Sequence, residues 1–93
     1  MARKVPKAAW KLLARMQASQ SGWGEEDFET LYSGFGFYSR EGNHRVYYHT
    51  DYPELRPATV GRHRQLARGY ADTALKRVQH VIDAEQLTPE NTR

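Results

Sequence analysis

His44 opens the chemistry this chain can offer. It follows a Gly42-Asn43 turn pair and precedes a strand-like run, Arg45-Val46-Tyr47-Tyr48-His49. A free imidazole titrates near pH ~6.5, so at neutral pH it can take a proton from a ribose 2′-hydroxyl. Attack of that 2′-oxygen on the adjacent phosphorus cleaves an RNA strand without a metal and leaves a 2′,3′-cyclic phosphate. The plainer reading is a histidine that hydrogen-bonds its own turn and does no chemistry.

Cations gather downstream. From Leu55 to Ala71 the chain carries Arg56, Arg62, His63, Arg64 and Arg68 and no acidic residue. Guanidinium groups clamp phosphates bidentately and fix a nucleic-acid backbone without reading its sequence. An ordinary solvated loop, or a surface for an acidic protein, would have the same composition. Arg45, next to His44 but on the opposite strand face, reads as a supporting cation. Tyr47, Tyr48, Tyr52 and Tyr70 could stack on bases, although strand tyrosines more often pack against one another. His80 falls outside the apolar stripe of its segment and reads as solvated. No Cys/His spacing suggests zinc, no glycine loop resembles a phosphate-binding loop, and no cofactor is implied. Glu25, Glu26, Asp27 and Glu29 suit a helix start better than a metal cluster.

The elements that must hold these groups follow from periodicity. Ala9, Trp10, Leu13 and Met16 recur at helical spacing between Lys7 and Ser19, behind a first-turn Pro6. Trp23, in the polar linker that follows, is expected to pack on the body. Phe28, Leu31, Tyr32 and Phe35 form one face of a second helix over Glu25–Ser33, with Gly34 and Gly36 supplying left-handed conformations at its end. The period then changes. Phe37–Arg40 and Arg45–His49 read as a hairpin through Glu41-Gly42-Asn43, and Ala58-Thr59-Val60 as a short third strand. After Gly69 a last helix shows the stripe Ala71, Ala74, Leu75, Val78, Val81 and Ile82. Short consecutive strands imply an antiparallel sheet with helices packed on one face, an α+β fold.

The chain has 93 residues, enough for a single domain, 1–93, with an ordered core over about 7–84 and a frayed 88–93. The net charge of +3 is modest, but its distribution is uneven, with carboxylates at 25–29 and arginines elsewhere. The absence of cysteine favours a reducing compartment. The basic start precedes no apolar run of signal-peptide length, and no stretch approaches a membrane span. A cytoplasmic protein with no membrane partner is expected.

Gly42-Asn43-His44-Arg45-Val46-Tyr47-Tyr48-His49, followed by Thr59-Val60-Gly61-Arg62-His63, resembles the HicA toxins of bacterial toxin–antitoxin pairs. That family carries Gly-Ser-His at the same turn, an aromatic three residues on, and a short third strand ending near another histidine. Asn43 stands here for the serine, and Arg45 for a second histidine common in the family. The resemblance covers roughly residues 7–84. It implies a double-stranded-RNA-binding-domain-like core of helix, three strands and helix, with an extra N-terminal helix. It also implies a metal-independent endoribonuclease acting on mRNA, with His44 as the catalytic histidine and a HicB-like antitoxin covering the active face. Gly42, Asn43, Arg45, Arg62, Arg64 and Arg68 would then support the site or contact RNA. His49 and His63, which match family histidines, would protonate the leaving 5′-oxygen, bind phosphate, or play no part. A non-catalytic RNA-binding module of the same fold, and a basic protein-interaction domain, are the competing readings.

Overall fold

The computed structural model describes residues 3–62 and 64–90. Helices α1 (Lys7–Ala18) and α2 (Glu25–Gly34) precede strands β1 (Tyr38–Arg40), β2 (Arg45–Tyr48) and β3 (Ala58–Val60), and helix α3 (Arg68–Glu85) closes the chain. The sheet is antiparallel in the order β1-β2-β3, with Tyr38 opposite Tyr48 and Tyr47 opposite Ala58. The architecture is α+β. No described helix is long and apolar enough to cross a membrane.

Alternation along the strands decides which face is buried. Tyr47, Ala58 and Val60 turn inward and are 1%, 2% and 1% exposed, whereas Tyr38 and Thr59 face outward. Aromatic side chains fill the space between the sheet and the helices. Tyr47 stacks on Tyr32 of α2 at 4.4 Å, and Tyr32 meets Phe37 edge-on at 5.0 Å. Each such pair contributes roughly 0.5–1.5 kcal/mol beyond burial. Leu12, Leu13 and Met16 of α1 and Ala71, Ala74, Val78 and Val81 of α3 complete the core, while Leu75 and Ile82 sit at its margin. Trp23 packs as its composition demands: its indole N–H donates to the Ser19 carbonyl at 2.7 Å, and Arg15 lies over its ring.

One of the two glycines at the end of α2 behaves differently from the sequence expectation. Gly36 has φ +93° and supplies the left-handed turn that leaves α2, but Gly34 remains helical. A Cβ on Gly34 would overlap the Ala9 Cβ, so Gly34 lets α1 and α2 approach closely. The hairpin differs too. Neither Gly42 nor Asn43 has positive φ, while His44 lies in the connection just before β2, as the sequence places it. A loop of this length does not need the left-handed pair of a two-residue turn.

Candidate functional site at the β1–β2 hairpin

His44 is exposed in the hairpin connection and makes no hydrogen bond or ion pair among the described residues. Its two neighbours in the candidate site, Gly42 and Asn43, are exposed as well. What holds this connection in place is a line of polar contacts beneath it. Arg45 turns to the helix side of the sheet, opposite Val60. There its Nε donates to Glu41 at 3.0 Å and its Nη1 to Glu29 of α2 at 3.5 Å. Glu29 also accepts the hydroxyl of buried Tyr47, and Glu41 accepts a guanidinium N–H of Arg62. The line therefore runs Tyr47, Glu29, Arg45, Glu41, Arg62, from the core to the surface beyond β3. Burial, with the Glu29 carboxylate next, pushes the Tyr47 phenol far up, so it stays a hydrogen-bond donor. Arg62 holds the Glu41 carboxyl below the usual range.

The arginines expected to be free of acids are not all so. Glu41 meets Arg62 across the hairpin, and Arg64 shares a cleft with Gly24, Glu25, Glu26 and Asp27 at the start of α2. The acidic and basic groups, remote in sequence, are thus neighbours in space. The reason is a chain crossing: the Leu66 N–H donates to the Trp23 carbonyl at 2.7 Å, and a Cβ on Gly24 would overlap the Arg64 carbonyl oxygen. Arg68 stands exposed in the first turn of α3. His63 lies outside the described residues.

His49 is a different kind of histidine from His44. It is 6% exposed, wedged edge-on between Phe37 and Tyr52 at 4.8 Å from each. The Asp51 N–H donates to Nδ1 at 3.2 Å, which leaves Nε2 to donate to the Phe35 carbonyl at 3.1 Å. Both ring nitrogens are therefore engaged in the neutral form, and burial lowers its pKa. An imidazole so enclosed cannot reach a leaving oxygen, and its place is structural. Arg3 lies nearby, bidentate on Glu85 at 3.1 and 3.0 Å and within 3.0 Å of Asp51, while Tyr52 donates to Glu85 at 2.6 Å. His80 is not simply solvated, because its Nε2 meets Glu54 at 2.8 Å.

The outer face of the sheet adds Tyr38 and Arg40, which the sequence reading passed over, beside Tyr48. Tyr38, 43% exposed, stacks on Tyr48 at 5.5 Å, and Arg40 lies 5.1 Å over the Tyr48 ring. The alternation Tyr38, Arg40 against Val46, Tyr48 carried this signal. Among the described residues no group of three or more His, Cys, Asp or Glu side chains is placed to hold a metal ion. No protein-family model, curated protein or solved structure matches this chain.

Proposed function

We propose that the chain is a HicA-like toxin, an endoribonuclease that cuts mRNA with His44 as its base and is held in check by a HicB-like antitoxin. The observation that carries this reading is the exposed His44 imidazole, hydrogen-bonded to no described residue. It stands on a connection tied down by Arg45 and Glu41. A general base must be reachable by substrate and firmly placed. His49 and His80 fail the first condition or are already paired. The sequence resemblance adds the toxin class, the antitoxin and the double-stranded-RNA-binding-like form of the segment from α2 to α3, and the lack of cysteine adds a cytoplasmic setting.

In this mechanism His44 takes the proton of a ribose 2′-hydroxyl. The 2′-oxygen bonds to phosphorus, the bond from phosphorus to the 5′-oxygen breaks, and that oxygen leaves protonated by water or a second group. Arg62, Arg64 and Arg68 hold phosphates, and the Tyr38–Tyr48 pair offers a ring face to an unpaired base. Arg45 acts as a positioning residue through its ties to Glu29 and Glu41. Incubating the purified chain with mRNA, and with His44→Ala in parallel, tests the reading. Loss of cutting in a folded variant supports it.

A further inference from the structure

A cleft of about 580 Å³ opens where the N-terminal segment, α1 and the residues after α3 meet. Its floor is apolar, built from Val5, Pro6, Trp10 and Pro89. Its rim is basic: Lys4, Lys7 and Lys11 line it, and among the described residues no carboxylate does. Lys7, Trp10 and Lys11 fall at i, i+3 and i+4 of α1, so the helix presents one ring between two cations. All three lysines are exposed, and none forms an ion pair among the described residues. The cleft shares no residue with the β1–β2 hairpin.

We infer that this cleft is a docking site for an acidic peptide segment of a partner protein, anchored by an aliphatic or aromatic side chain. Its volume lies within the roughly 300–1,000 Å³ of small-ligand sites, ample for one or two apolar side chains. The rim then selects charge, since three lysines around one apolar floor favour carboxylates and repel a basic segment. A second copy of the chain does not supply the occupant. Its acidic cluster at Glu25–Glu29 keeps the neighbouring apolar residues Phe28 and Leu31 buried, 1% and 0% exposed. A lipid surface fits poorly because the apolar floor is concave, with Val5 buried and Trp10 half-buried against Phe35 at 5.1 Å. A nucleic acid would place one base on the Trp10 ring and leave the Val5, Pro6 and Pro89 surfaces without an apolar partner.

The test uses the full chain, ¹⁵N-labelled, titrated with an eight-residue peptide alternating glutamate and leucine. Amide shifts should saturate at residues 4–11 and around 88–90. Replacing the glutamates by lysine, or the leucines by glutamate, should each weaken binding at least tenfold. The double variant Lys7→Glu, Lys11→Glu should do the same while keeping its spectrum dispersed, because both side chains are exposed. Equal binding by the lysine–leucine or all-glutamate peptide would overturn the inference, as would an unchanged double variant. Tighter occupation of the same residues by phosphatidylglycerol vesicles or a short RNA would overturn it too. None of these results depends on whether the chain cuts RNA.

Discussion

Arg45 and Arg62 are joined through one carboxylate: Glu41 accepts the Arg45 Nε at 3.0 Å on one oxygen and Arg62 on the other. Arg62, the exposed cation of the two, is thus partly neutralised at the hairpin. The bridge fixes the connection carrying His44 and, under the proposed function, would temper its affinity for RNA.

Glu41→Gln should therefore bind RNA more tightly than the parent. Each additional phosphate contact steepens log K against log salt by roughly −0.7 for single strands. Titration of a labelled RNA from low to moderate salt should show a steeper slope for Glu41→Gln and a shallower one for Arg62→Ala with Arg64→Ala. An affinity insensitive to salt would favour the protein-interaction reading.

Tyr38→Ala removes an exposed ring from the outer sheet face, so the fold should lose little. A base stacked there contributes about 1–3 kcal/mol, and single-stranded RNA should bind more weakly by that amount. Melting curves and anisotropy with one RNA read both effects. Unchanged RNA affinity would remove the outer face from the binding surface.

Gly34→Ala forces a methyl group into Ala9, where α1 and α2 touch. Overpacking of this kind costs about 1–3 kcal/mol. A domain of this size loses roughly 4–8 °C in Tm per kcal/mol, which thermal unfolding by circular dichroism resolves. A Tm at or above the parent value would contradict the close-approach role.

His49 predicts how stability follows pH. Its folded pKa lies below the unfolded value near ~6.5, because burial disfavours the charged ring. Between the two values the unfolded chain binds more protons, so stability rises with pH there. The groups facing the ring are Arg3, which deepens the shift, and Asp51 and Glu85, which oppose it. Stability is fully present above about pH 6.5 and declines as pH falls toward the folded pKa. A second loss follows at lower pH, where Glu85, held low chiefly by Arg3, is protonated. Denaturant unfolding from pH 8 to 2 should show both declines, the second only below about pH 4.5, and His49→Gln should lack the first.

Much of this molecule was legible from periodicity. The six elements, the buried ring of Tyr47 and the docking of Trp23 each follow from residue type and spacing. The failures share a cause in three-dimensional proximity. Gly34 reads as a helix terminator until Ala9 is seen against it. His49 reads as an available imidazole until Phe35 and Asp51 take both nitrogens. Arg62 and Arg64 read as free cations because Glu41 and the start of α2 are remote in sequence. Local pattern cannot report pairing between distant segments.

Cleavage of mRNA by the parent chain and by His44→Ala, followed on gels beside circular dichroism, tests the central claim most directly. His44 is exposed, so truncation leaves no cavity and stability should stay within about 0.5 kcal/mol. The parent should cut in the presence of EDTA and yield cyclic-phosphate ends. The folded His44→Ala variant should not cut. A folded variant that still cuts, or a parent that needs magnesium, would contradict the account.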